Sequence, residues 1–259
     1  MSRPVVLLFL CFVCLPTLGF AQLLDEEGEY GEDWGGYFFG TRGGLSLGSQ
    51  DWSNIETELN LGFHGDMFLE TIPSQGRFSF WGQLGYHQRG SRISRQRLFT
   101  FQGNRVTLPA DNFVFNNASL AIGGKQVVSY LGLADLYYLI GVRAEYNLST
   151  NLGEYDALSA FGAGVRRSYP FDSYEFINRF TYGATVGGGA VIPLSESIGG
   201  FVELTAHPDL SFQYNQGAIA NVIDPLGGTN TSIGERAIRN FTVELSVGLR
   251  FLRKWRYID

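Results

Sequence analysis

The sequence predicts an all-β fold, an eight-stranded antiparallel transmembrane up-and-down β-barrel. Three observations carry that prediction. Residues 241–252, FTVELSVGLRFL, put Phe241, Val243, Leu245, Val247, Leu249 and Phe251 on one face, with Thr242, Glu244, Ser246, Gly248 and Arg250 on the other. A period of two held this long marks a strand with two different surroundings. Strands in soluble sheets run about five or six residues, whereas bilayer-crossing strands need roughly nine to eleven. The same element recurs to an even total of eight, and the connections alternate between short and long, as membrane barrels require. No run after the first residues is apolar enough for a membrane helix, so a spanning chain must close into a barrel.

The elements follow in chain order. Residues 1–21 carry Arg3, an apolar run from Val5 to Val13, and small residues Gly19 and Ala21 before Gln22. This pattern predicts a secretory signal peptide. Both cysteines, Cys11 and Cys14, lie in it, so the mature chain has no thiol for a disulfide or a zinc site. Residues 22–34 form an acidic tail with Asp25, Glu26, Glu27, Glu29, Glu32 and Asp33, expected on the periplasmic side. The barrel is assigned to 35–259.

The first strand starts near Tyr37, with Phe39, Leu45 and Leu47 opposite Arg42 and Ser46, and a loop is expected over 49–55. The second opposes Leu59, Leu61, Phe63, Met67 and Leu69 to Glu58, Asn60, His64, Asp66 and Glu70. Pro73 and Gly76 make the next turn. The third puts Phe78, Phe80, Leu84 and Tyr86 against Ser79, Gln83, His87 and Arg89; a long loop is then expected over 91–125. The fourth is assigned to 126–133. The fifth alternates Leu136 to Leu148 against Arg143, Glu145 and Asn147, and leads to a second long loop, 149–176. The sixth runs from Arg179 to Ile192, the seventh from Val202 to Gln213, and a third long loop, 215–238, precedes the closing strand.

Two features decide which face is inside. The polar faces carry Gly62, Gly85, Gly141, Gly183, Gly187, Gly189 and Gly248. Eight strands enclose a lumen barely wide enough for side chains, so small residues belong there. These faces also carry charges of both signs at mid-strand, which can pair across a narrow interior. A lipocalin-like soluble barrel would invert this arrangement. The expected lumen network is Arg42, Glu58, His64, Asp66, His87, Arg143, Glu145, Arg179, Glu203, His207, Asp209, Glu244 and Arg250. Tyr146, Tyr214, Trp255 and Tyr257 fit an interfacial girdle.

Catalytic and metal patterns are weak. His207, Asp209 and Ser211 share a face, but same-face residues four apart sit roughly 13 Å apart, beyond hydrogen-bond reach. His64, Asp66 and His87 suit zinc by residue type, yet two inward histidines read more simply as hydrogen-bonded lumen residues. We therefore expect no enzyme activity, no cofactor and no metal. Arg89, Arg92, Arg95, Arg97 and Arg105 cluster at the start of the first long loop and could pair bidentately with the phosphates of lipopolysaccharide. Nothing suggests nucleic acid.

With the strands assigned, the chain resembles the PorT-like family of small outer-membrane barrels of Bacteroidetes. The residues that carry this are GTRGGLSL, LNLGFHGDMFLE, FSFWGQLGYHQRGS, SYLGLADLYYLIGVRAEY, TYGATVGGGAVIPL and FTVELSVGLRFL. The resemblance implies the bacterial outer membrane and a link to protein secretion. It departs from the family at Tyr130–Ala134, which lacks the family's glutamate there. The functional expectation is a monomeric barrel with both ends in the periplasm, acting as a structural or interaction protein through its long loops or acidic tail, with a lipid or a secretion component as partner. The alternatives are a narrow passive channel and, behind it, an envelope lipid-modifying enzyme.

Overall fold

The structure, a computed structural model, describes residues 34–52, 57–73, 77–93, 97–99, 105–107, 111–152, 176–223 and 230–256. The expected signal peptide, 1–21, and most of the expected acidic tail, 22–34, lie outside these residues, as do Arg95 and Tyr257. Eight strands form the barrel: β1 (Trp34–Trp52), β2 (Glu58–Thr71), β3 (Phe78–Ile93), β4 (Asp111–Leu131), β5 (Ala134–Thr150), β6 (Phe180–Pro193), β7 (Ile198–Pro208) and β8 (Arg236–Arg256). Each strand pairs antiparallel with its neighbour in sequence. β1 also pairs with β8, from Trp34 opposite Arg256 to Trp52 opposite Ile238, which closes the ring. No sheet edge is left for lipid to meet, the condition a spanning β-structure has to satisfy.

Connections at one end are short: β2 to β3, β4 to β5 and β6 to β7. At the other end the chain adds small hairpins, Arg97–Phe99 with Arg105–Thr107, and Ile219–Ile223 with Asn230–Ile233. Tyr214–Gln216 extends the wall beside β8.

The exterior is apolar. Phe241, Leu245, Val247 and Leu249 of β8 all point outward, Val247 being 61 % exposed. So do Leu61, Phe63, Met67 and Leu69 of β2 and Leu120 and Ile122 of β4. From Phe241 to Phe251 the strand advances about 34 Å at ~3.4 Å per residue, or ~26 Å of height at a ~40° tilt. That matches the ~25 Å apolar band of a membrane barrel. The interior is the polar side: Glu244, Ser246, Thr242, His87 and Arg143 are all buried. The soluble inside-out alternative is excluded by this distribution.

Three expectations of strand limits need correction. Residues 111–125, read as loop, belong to β4, which is 21 residues long. The alternation fails there for a physical reason. Near the long-loop end β4 turns Phe113 and Phe115 inward into an apolar layer, while Asn112 and Asn116 face outward above the lipid band. Both faces are therefore mixed. β1 continues through Trp52 where a loop was expected, because it is zipped to β8 along its full length. β7 ends at Pro208, whose ring removes the ladder donor, and only an isolated bridge, Gly183 to Asp209, continues the pairing.

Candidate functional site

The lumen is filled at three levels. At the long-loop end Ile93, Phe113, Phe115, Leu152, Tyr214 and Ile238 form a buried apolar layer, with Phe176 and Ile177 packed on it. Tyr214, expected in the girdle, is fully buried here and its hydroxyl donates to Gln216. At the short-turn end Trp81, Ala121, Tyr137, Leu139, Val191 and Phe201 form a second layer, joined by Phe68. Three of its rings lie over glycines directly across the ladder: Phe68 over Gly40, Tyr137 over Gly189 and Phe201 over Gly248. A methyl group built at Gly248 would lie 2.5 Å from the Phe201 ring, and one at Gly189 would lie 2.7 Å from the Tyr137 hydroxyl. The inward glycines are thus sockets for aromatic rings as well as space for ion pairs.

Between the two layers runs the polar network, to which every strand contributes. Arg42 on β1 holds Asp66 at 3.0 Å through Nε, and its other nitrogens hold Glu203 and Gln83. His87 on β3 stands between two carboxylates, Nε2 to Asp66 and Nδ1 to Glu244, both at 2.8 Å. An imidazolium, with two N–H donors, satisfies that arrangement. Glu244 on β8 also meets His207 of β7 at 2.9 Å and lies 3.7 Å from Arg89. The Arg89 Nε donates to Glu145 on β5 at 3.0 Å, and Arg143 lies 3.1 Å from the same oxygen while pairing with Asp209. β4 brings Asn117 to Glu145 and Lys125 to Glu70, and β6 brings Thr185 to His207. Asn240 extends the chain from Asp209 to Gln50.

This network contains four permanent cations, Arg42, Arg89, Lys125 and Arg143, against six carboxylates, Asp66, Glu70, Glu145, Glu203, Asp209 and Glu244. A doubly protonated His87, which would donate to both carboxylates, would bring the sum one charge nearer neutrality. Burial of such charges is tolerated only when each is paired and hydrogen-bonded. Below the network a recess of about 30 Å³ opens among Arg42, Phe68, Gln83, Lys125, Tyr137 and Arg250, enough for roughly two water molecules.

Of the thirteen residues expected in the lumen, ten meet there: Arg42, His64, Asp66, His87, Arg143, Glu145, Glu203, His207, Asp209 and Glu244. Three do not sit in the network. Glu58 is exposed beside outward Arg92, at 3.9 Å, because a register shift between Leu59 and His64 breaks the parity of β2. Arg179 precedes β6 and points outward to the Tyr146 hydroxyl at 3.4 Å. Arg250 is only half-buried, 4.4 Å over the Phe38 ring at the short-turn end. Among the arginines expected to meet lipid phosphate, Arg89 is only 1 % exposed and belongs to the lumen network. Its parity with His87 is the signal that identifies it. Arg92 is exposed; for Arg97 and Arg105 only the backbone is described. Lys125, Glu70, Gln83 and Tyr137 complete the network without having been singled out; all lie on inward parity.

The would-be catalytic set is not assembled. Both His207 nitrogens are engaged, by Thr185, Thr205 and Glu244, whereas Ser211 Oγ donates to the Tyr182 carbonyl and Asp209 pairs with Arg143. His64 donates to or accepts from Ser246 at 2.8 Å. Among the described residues no three His, Asp or Glu side chains are disposed to hold a metal ion.

No family model matches the chain, and no curated protein does. Solved structures with a similar arrangement are small outer-membrane proteins. Neisserial surface protein A shares 12 % identity over 85 % of this chain and 99 % of its own, with a TM-score of 0.46. Outer membrane protein W of Escherichia coli shares 10 % identity over 85 % and 100 %, at 0.39. The attachment invasion locus protein Ail of Yersinia pestis shares 12 % over 83 % and 98 %, at 0.37. This chain is an eight-stranded antiparallel transmembrane β-barrel.

Proposed function

We propose that the protein is a non-conducting, non-enzymatic barrel of the bacterial outer membrane that works as an interaction or structural protein through the segments at its long-loop end or through the acidic segment 22–34. The observation that carries this reading is the filled lumen. Two apolar layers and a braced charge network occupy the interior, and among the described residues His207, Asp209 and Ser211 each engage other partners, which supports a reading without transport or catalysis. Membrane barrels keep their short turns in the periplasm, which supports an outward-facing long-loop end. The family resemblance supports a finer role, as an accessory to protein secretion.

The test is a tagged pull-down from native outer membranes in mild detergent, read by mass spectrometry beside single-channel recording in a planar bilayer. A stoichiometric envelope partner with no conductance steps is the expected result. Regular conductance steps from the folded protein would overturn the reading in favour of a narrow channel. Orientation is checked separately. The mature chain lacks cysteine, so Gly217→Cys at the long-loop end and Ser195→Cys at a short turn report on the two sides. Only Gly217→Cys is expected to react with an impermeant maleimide on intact cells.

A further inference from the structure

Immediately above the apolar belt, one sector of the outer wall presents two guanidinium groups with no carboxylate partner. Arg179 and Arg239 are both exposed, and neither makes an ion pair among the described residues; Asp51, exposed on the same face opposite Arg239 across the β1–β8 ladder, is not in ion-pair contact with it. They flank the short segment that follows β7. Asn178, next to Arg179, donates its backbone N–H to Gln213 and its side chain to the Phe212 carbonyl, each at 2.9 Å. Arg239 stacks on the other side, 4.2 Å over the Phe212 ring. Two strand spacings separate their backbones, about 10 Å; Arg179 reaches toward Tyr146 on β5, and Arg239 lies over Phe212. The stacking on Phe212 and the contact of Arg179 with the Tyr146 hydroxyl hold both groups against the wall.

Directly below lies an unbroken apolar surface made of Phe180, Tyr182, Leu210 and Phe241. Phe180 is 74 % exposed and packs against Tyr146 with ring centroids 4.9 Å apart. The described residues of another sector differ. On the β2–β3 side the exposed cation, Arg92, is matched by Glu58. Two arginines free of ion pairs over a greasy wall fit an amphiphile with a doubly charged anionic head and acyl chains, which would compete with Asp51 for Arg239. Arginine is suited to phosphate because its planar fork donates two parallel hydrogen bonds.

We propose that Arg179 and Arg239 form a binding site for the phosphorylated headgroup of an outer-leaflet glycolipid, whose acyl chains run down over Phe180, Tyr182, Leu210 and Phe241. The site is separate from the loop arginines from which the sequence suggested lipid contact, one of which, Arg89, is sealed in the lumen. The choice of leaflet rests on the outward orientation of the long-loop end proposed above; binding itself does not depend on it.

The experiment titrates the purified mature protein in detergent with diphosphorylated lipid A, with the same lipid stripped of its phosphates, and with inorganic phosphate as competitor. Native mass spectrometry counts bound lipid. R179Q/R239Q is expected to lower diphosphoryl lipid A retention at least tenfold, while R253Q/K254Q, at the short-turn end, leaves it unchanged. The stripped lipid should bind at least tenfold more weakly than the intact one. Both replaced residues are exposed, and heat-modifiable gel mobility confirms that the variants are folded. Undiminished binding by folded R179Q/R239Q overturns the site, as does an equal loss in R253Q/K254Q. Displacement by inorganic phosphate at equimolar concentration would make the ligand a free anion and overturn the lipid assignment. A failed cysteine-labelling result with lipid binding intact would sink the orientation alone.

Discussion

Replacing Arg42 with methionine removes the side chain that ties β1 to the network without opening a large void. Arg42 contacts two carboxylates, Asp66 and Glu203, and the Gln83 amide. Each carboxylate retains one partner: His87 at 2.8 Å for Asp66 and the Tyr137 hydroxyl at 2.8 Å for Glu203. Removing one member of a buried pair costs about 3–5 kcal/mol, and the retained partners set the expected loss near the lower figure, about 3 kcal/mol. With a urea dependence of about 2 kcal/mol per molar, the unfolding midpoint in lipid vesicles should fall by ~1.5 M. Tryptophan fluorescence is a suitable probe, since Trp81 lies in the adjoining apolar layer. The diagnostic comparison is Arg42→Met combined with Asp66→Asn and Glu203→Gln. Leaving a buried charge without its partner costs more than removing the whole set, so the triple variant should recover more than half of the loss. A single variant that shifts the midpoint by less than ~0.5 M, or a triple variant less stable than the single, would refute the account of the lumen as a paired charge network.

Further outcomes follow from the same geometry. Leu245→Arg puts a charge near the middle of the lipid-facing band and should cost about 2–4 kcal/mol, whereas Phe241→Arg at its upper edge should cost about 0–1 kcal/mol; equal losses in vesicle unfolding would contradict the assigned band. Gly248→Ala places a methyl 2.5 Å from the Phe201 ring and 2.6 Å from the Thr41 carbonyl oxygen, so about 1–3 kcal/mol of stability should be lost, and Gly217→Ala in open space should be silent by the same assay. Single-channel recordings of Arg42→Met should stay silent, because the apolar layers close the lumen on either side of the network.

The strands that sequence alone outlined well are those whose two faces meet uniform surroundings. β8, β5 and β2 alternate cleanly because their outward residues touch only lipid and most of their inward residues touch only the polar layer. β4 was half-hidden because its 21 residues cross three environments: Phe113 and Phe115 in the apolar cap, Asn117 in the network, and Lys125 at the short-turn end. The candidate lumen set was legible by parity, and its errors arise where parity stops. Arg179 precedes the first residue of β6, and Glu58 lies beyond the register shift in β2. The aromatic sockets had no sequence signal at all, since pairing Phe201 with Gly248 requires the register between strands, not the pattern along one.

Glu244, the hub of the network, sits on β8, the strand whose pairing with β1 closes the ring. Until β8 arrives, His87, His207 and Arg89 lack the carboxylate that all three face, and β1 exposes 19 residues of unpaired backbone. A sheet without β8 would therefore carry into hydrocarbon both an open edge and three buried basic side chains short of a shared partner. Seven strands have no stable resting place in the bilayer, so zipping the closing strand and completing the hydrogen-bonded network occur as one event. Biogenesis of this barrel thus has a built-in checkpoint: a chain truncated before Glu244 should be left to periplasmic proteases rather than be stored as an intermediate.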